Sequence, residues 1–261
     1  MNNKVIWITG ASSGIGEALA YQLNELGSKI ILSARREDML LKVQNNCKFQ
    51  KNAAILPLDL TKFDSLESIT SKAISVFGKI DILINNGGLS QRSLIIDTNF
   101  EVYRQMIDIN YLGTIKLTKH VLPYFIAQKS GHFVTVTSLM GKFSSPYRSG
   151  YCGAKHALHG FFDTLRMEHE KDNINVSIIC PGFIQTNVAK NALTGDGSAL
   201  QKEDNATENG MPVNKCAKKI ITAIKKNRFE TYIGGKEIFG IYLKRFFPKL
   251  LHKVVMKSKV R

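Results

Sequence analysis

The chain lacks any apolar run of the eighteen or so residues that a membrane-crossing helix requires. Residues 1–4 lead straight into an apolar stretch, without the charged n-region and cleavage site of a secretory signal. A cytoplasmic, unprocessed protein is therefore expected. Cysteine is sparse: Cys47, Cys152, Cys180 and Cys216 form no C-x-x-C pair, so neither a disulfide framework nor a metal site is indicated, and reduced thiols are expected. Acidic residues are scarce as well. Twenty-one Asp and Glu face 36 Lys and Arg, and the net charge of +15 points to an anionic partner: a cofactor phosphate, an acyl carrier, a membrane surface or nucleic acid. Position narrows the choice, because residues 236–261 hold eight Lys and Arg against Glu237 alone and so supply +7 of that charge. The remainder is only moderately basic, and nucleic acid is not expected as a partner.

What is present is the pattern of one α/β domain. With 261 residues, 44% of them hydrophobic, the chain can bury a large core. Short apolar runs at 5–9, 30–33, 54–58, 80–85, 132–138, 176–180 and 229–233 alternate with helical patterns at 15–26, 37–45, 64–77, 100–128 (bent), 151–170 and 213–226. That alternation predicts a doubly wound parallel sheet of about seven strands with helices on both faces. Residues 1–235 read as the catalytic domain and 236–261 as a basic amphipathic extension. Residues 187–211 break the rhythm, being rich in Asn, Gly, Asp, Thr and Lys, and are expected to form a lid, with Pro212 at the first position of the next helix.

Two local patterns carry chemistry. Thr9-Gly10-Ala11-Ser12-Ser13-Gly14-Ile15-Gly16 joins the first strand to the first helix, where small residues let the backbone approach a pyrophosphate and free N–H groups meet its charge. Tyr151 and Lys155 are four residues apart, hence on one helix face, with Ser138 thirteen residues before the tyrosine. A cation about 4 Å from the phenol, at an effective dielectric of about 20, would contribute roughly 4 kcal/mol and lower its pKa by about three units. Spacing alone is weak. Tyr232 and Lys236 repeat it, but Lys219 stands where a serine should and Gly234 and Gly235 break any helix between them. The second strand ends Ser33-Ala34-Arg35-Arg36 with no acid to bind a ribose 2′-hydroxyl, so the arginines are expected to accommodate a 2′-phosphate and the cofactor to be NADP(H).

With these motifs, Asp59-Leu60, Asn85-Asn86-Gly87-Gly88, Asn110 and Pro181-Gly182 with Thr186 beyond, the chain resembles the short-chain dehydrogenase/reductase family as far as about residue 235. The runs L-S-A-R-R and N-N-G-G-L-S-Q-R-S-L are most similar to its member 7-like subgroup. The family pattern has alanine where this chain has Gly87. The resemblance implies a Rossmann-type fold, Tyr151 as general acid and base, Ser138 as hydrogen-bond partner of the substrate oxygen, and Lys155 on the nicotinamide ribose. It implies Asn110 as holder of a proton-passing water, and Gly10, Ser12, Ser13, Gly14, Ile15 and Gly16 around the pyrophosphate. Asp59 and Leu60 would meet the adenine, Asn86 and Gly87 the adenosine ribose, and Ile184 and Thr186, past Pro181 and Gly182, the carboxamide and phosphates. Homodimers or homotetramers are expected through the helices near 100–128 and 151–170. Asp59 as a cap and Pro181-Gly182 as a simple turn are the plain alternatives.

The expected function is interconversion of a carbonyl and a secondary alcohol on a small or lipophilic substrate. Alternatives are a 3-oxoacyl-carrier reductase, which would want its basic residues at the active-site mouth, and a non-catalytic NADP(H)-binding regulator. Gln91, Ser93, Leu139, Met140 and residues 187–211 are expected to shape the substrate pocket. His120, His156, His159 and His169 show no metal-ligand spacing. In the extension, Arg245, Lys249, Lys253 and Lys257 recur every four residues beside Leu243, Phe247, Leu250 and Val254. This pattern suits a peripheral membrane contact, or else packing on the domain through Phe239, Phe246, Phe247 and Leu251.

Overall fold

Runs rich in Ile, Val and Leu form strands here because helices cover both faces of the sheet, so both sets of alternating side chains are buried. The computed structural model describes residues 1–202 and 205–258. Its strands are β1 (Val5–Thr9), β2 (Lys29–Ser33), β3 (Ala53–Ile55), β4 (Ile82–Asn85), β5 (Gly131–Val136), β6 (Ile174–Pro181) and β7 (Glu230–Ile233). They lie in the order β3-β2-β1-β4-β5-β6-β7, with every neighbouring pair parallel. The helices are α1 (Gly14–Glu25), α2 (Glu37–Asn45), α3 (Leu66–Phe77), α4 (Phe100–Ile107), α5 (Gly113–Ala127), α6 (Ser149–Glu168), α7 (Asn205–Glu208), α8 (Val213–Lys225), α9 (Phe239–Phe246) and α10 (Pro248–Lys257).

Period-two alternation divides β1 between two cores. Ile6 and Ile8 pack with Leu19, Leu40 and Ile220 of α1, α2 and α8, whereas Val5 and Trp7 pack with Ala73, Leu117 and Phe162 of α3, α5 and α6. The order reverses between β1 and β4, and that switch point at the strands' carboxyl ends is where such sheets open a crevice.

Four details differ from the sequence expectations. The third and fifth strands are shorter than expected, leaving Thr137 and Ser138 beyond the end of β5. The bend in 100–128 is a π-helical turn, Asp108–Leu112, with Pro123 further along inside α5. Pro212 stands one residue before α8, as its N-cap. Residues 187–202 are packed: Ala189, Ala192 and Leu193 are buried, and Leu193 bridges Gln91 and Ala199. The extension forms α9 and α10, with Pro248 at the first position of α10 and Leu251 buried in the core shared with α6.

Candidate functional site

The turn from β1 into α1 is tight enough to demand its glycines. Gly10 has φ +65°, and a Cβ there would lie 2.8 Å from Gly87 Cα; one on Gly16 would lie 2.2 Å from the Gly10 carbonyl oxygen. Ser13 is the N-cap of α1 but makes no side-chain capping bond, so the first-turn N–H groups remain available to an anion. The loop after β4 is tied to this turn. The Thr9 hydroxyl accepts from Asn86 N and Gly87 N, both at 3.0 Å, and Asn86 Nδ2 donates to the Thr9 and Gly10 carbonyls. These residues open on a cleft of about 1020 Å³ lined by Gly10, Ser12, Ser13, Gly14 and Ile15 of the loop, and by Arg35 and Arg36 after β2. Asp59, Leu60, Asn86, Gly87, Pro181, Gly182, Ile184 and Thr186 line it too. Thr186 closes over Gly14, whose Cβ would meet its methyl at 3.2 Å. A backbone cradle, an uncapped helix N-terminus and a long cleft fit a dinucleotide. Asp59 also braces its own loop, its Oδ1 accepting from Thr61 N and Oγ1 at 3.0 and 2.8 Å.

Further along the same cleft, Ser138, Tyr151 and Lys155 come together from β5 and α6. The Ser138 hydroxyl accepts from Met140 N at 3.1 Å and donates to the Pro181 carbonyl at 3.3 Å. Lys155 is buried, donates to the Val136 carbonyl at 3.0 Å and lies 5.7 Å from the Tyr151 ring centroid. Asn110 and Gly16 stand behind the cleft wall. Asn110, in the π turn, clamps Leu89 through both its amide N–H (2.9 Å) and carbonyl (3.1 Å), and a Cβ on Gly88 would come within 2.4 Å of its Oδ1. A π turn at a functional position is a recurrent pattern. Tyr232 and Lys236, by contrast, fall on β7 and the turn beyond it.

Burial overturns one expectation. The Tyr151 phenol is held above its ordinary range by desolvation, against hydrogen bonding to Ser138 and the fields of Arg92 and Arg148, which pull it down. The Lys155 ammonium is bound to Val136 O and is itself desolvated, which brings its pKa from 10.5 to about 8. An unfolded lysine keeps its proton to about 10.5, so the folded chain bears the full penalty below about pH 8, and the penalty fades as pH rises from 8 to 10.5. That penalty is about 3 kcal/mol, offset by about 1.5 kcal/mol from a charged hydrogen bond. Lys155→Met should therefore stabilise the protein at pH 7, by no more than that penalty, while removing turnover. Urea unfolding at pH 7 and pH 10 checks this, and equal or lower stability of the variant at pH 7 would contradict it.

Several residues take parts that sequence spacing could not assign. Gln91 and Ser93 do not line the pocket. Gln91 is buried, accepts from Gly150 N at 2.7 Å and donates to Ser93 Oγ at 3.0 Å, so it fixes the start of α6 and thereby Tyr151. Arg92 and Arg148 line the substrate end with Leu139 and Met140. The four cysteines are free and buried, and burial raises the Cys152 thiol, as expected of inert thiols. His159 departs from the sequence reading. Folding gathers its ligand atoms with those of Cys180 and Glu230 within 4.8 Å, although Lys142 Nζ already holds Glu230 Oε1 at 2.7 Å. The basic extension does not lie apart from the mouth either, for Leu243, Leu251, Val254 and Val255 line the cleft.

The comparisons agree with this geometry. Residues 4–196 match the model of the short chain dehydrogenase family. Human dehydrogenase/reductase SDR family member 7 is 43% identical over 255 residues, which cover 95% of this chain and 75% of that protein. The Drosophila melanogaster SDR family protein 7-like is 37% identical, covering 99% and 81%. Among solved structures, a short-chain dehydrogenase from Streptomyces avermitilis superposes with a TM-score of 0.82 at 26% identity, over 96% of this chain and 98% of that one. A Burkholderia phymatum short chain dehydrogenase/reductase, solved in complex with NAD, gives 0.84 at 21% identity over 95% of each, a likeness of fold. On fold, motif and relatives alike, the chain belongs to the short-chain dehydrogenase/reductase family of oxidoreductases.

Proposed function

We propose that the protein is an NADP(H)-dependent oxidoreductase that interconverts a carbonyl and a secondary alcohol on a small or lipophilic substrate. The observation that carries this is the convergence of Ser138, Tyr151 and Lys155 on the cleft that also holds the glycine loop. Bound nicotinamide supplies the hydride for reduction and accepts it in oxidation. Tyr151 donates its phenolic proton to the substrate oxygen as the carbonyl is reduced, and takes it back in the reverse direction. Ser138 turns its hydroxyl from Pro181 O to that oxygen, where negative charge develops. Lys155 would hold the ribose hydroxyls of the cofactor, and its ammonium, four residues from Tyr151 on α6, would favour the ionised phenol. Asn110 positions the water that hands protons on to Lys155.

Cofactor choice rests on Arg35 and Arg36, both exposed at the cleft, while Glu37 and Asp38 are turned into the first turn of α2. The NAD found in the Burkholderia neighbour makes both cofactors necessary controls. The working form is a homodimer or homotetramer in the cytoplasm, with peripheral membrane contact through α9 and α10. Ketones, aldehydes and 3-oxoacyl thioesters assayed with NADPH test the activity. Turnover of simple carbonyls is expected. Turnover confined to carrier-linked thioesters would favour the 3-oxoacyl-carrier reading, and none with any carbonyl or alcohol would leave a cofactor-binding regulator.

A further inference from the structure

The aromatic side chains of α9 point away from the protein. Phe239, Tyr242 and Phe246 recur at i, i+3 and i+7, which is one helix face, and Phe247, Leu250 and Val254 repeat that spacing into α10. All six are between 48% and 67% exposed. The opposite sides of the helices are anchored: Gly240 and Leu251 are buried, and Leu243 and Val255 pack on the core shared with α6. The outward faces are thus held in place by the fold. An apolar patch of this extent is unlike the scattered single residues of an ordinary surface. Lys244, Arg245, Lys249, Lys253 and Lys257 are exposed around it. Phe239 and Val254 belong to the patch and also to the wall of the cleft that holds Ser138 and Tyr151. Outer face and inner wall therefore meet at the mouth.

We propose that this face docks on an anionic phospholipid surface, and that the cleft draws its carbonyl substrate directly from the lipid. The substrate clause rests on the oxidoreductase reading of the cleft, whereas the docking clause stands without it. Charge and apolarity together select the partner. A two-fold contact between copies would set the same cations against one another. An acidic carrier protein would satisfy the cations, yet two adjacent apolar faces call for a medium into which whole aromatic rings can sink. A lipid interface offers both, with headgroup charge for the lysines and acyl chains for the rings.

The test uses the full chain and vesicles of phosphatidylcholine with or without phosphatidylserine. Wild type should float with the anionic vesicles, bind the neutral ones weakly and be released by high salt. The charge-reversed variant Lys249→Glu, Lys253→Glu, Lys257→Glu should lose affinity by on the order of a hundredfold, and Phe246→Ser with Phe247→Ser should lose it at any salt. None of these five residues lines the cleft, so both variants should reduce a small water-soluble ketone at the wild-type rate, which also reports their folding. A long-chain ketone dissolved in anionic vesicles should be reduced at least about tenfold more slowly by the variants. If wild type fails to bind anionic vesicles, or the charge-reversed variant binds equally well, the docking is overturned. Equal turnover of the lipid-dissolved ketone by bound wild type and unbound variants would overturn delivery from the lipid. Vesicle binding without turnover of any carbonyl would uphold the docking and overturn the oxidoreductase reading instead.

Discussion

Tyr151→Phe is expected to lower turnover by about 10²- to 10⁴-fold, the usual contribution of a positioned general acid, while NADPH binding changes little. The substitution removes one hydroxyl from a partly buried ring on the cleft wall, and the cleft, α6 and the Lys155 position stay in place. Ser138 keeps its bonds to Met140 N and Pro181 O, so the fold around the site has no reason to rearrange. Nucleotide affinity is expected to reside elsewhere, in the glycine loop, the uncapped start of α1 and the arginines after β2. Single-turnover kinetics, with cofactor affinity measured separately by fluorescence, distinguish the two effects. Retention of more than about a tenth of the wild-type rate in the chemical step would show that another group delivers the proton.

The second large effect concerns cofactor choice. Arg35→Ala should reduce the preference for NADPH over NADH by about ten- to a hundred-fold, because a charge-assisted contact to phosphate is worth roughly 1.5 to 3 kcal/mol. Arg36→Ala should have a smaller effect, since Arg36 is expected to assist the contact that Arg35 carries. The measurement is kcat/KM for both cofactors in wild type and variant. Equal use of NADH and NADPH by the wild type would remove the basis of the assignment.

The fold was legible because its strands are continuous apolar runs separated by helical periods, a pattern that only a sheet covered on both faces accommodates. The glycine loop was legible for a different reason. Part of its constraint is local, in the positive φ of Gly10 and the approach of Gly16 to the Gly10 carbonyl, and the rest comes from the packing of Asn86 and Gly87 against the turn. What spacing could not reveal depends on long-range contact. Gln91 reads as a loop residue near a substrate pocket, and only the fold turns it inward to hold Gly150. Arg92 reaches Tyr151 from the loop after β4, and His159, Cys180 and Glu230 meet although 71 residues separate the first from the last. The protonation of Tyr151 was misread because the i, i+4 geometry places a cation nearby but says nothing about which acceptor holds it. Val136 O, at the end of β5, is that acceptor. The extension was legible as amphipathic, but Leu243, assigned to its outer stripe, faces the core, and Phe239, Tyr242 and Phe246 form the outer face instead.

The central claim is hydride transfer between the cofactor and a carbonyl carbon, with Tyr151 as the proton donor. NADPH carrying deuterium at the transferable position of the nicotinamide, incubated with the protein and the carbonyl panel, tests it most directly by mass spectrometry of the products. The account predicts a secondary or primary alcohol deuterated at its carbinol carbon with wild type, reduced at least about a hundredfold with Tyr151→Phe. No deuterated alcohol from any carbonyl, under conditions where the protein binds NADPH, would contradict it.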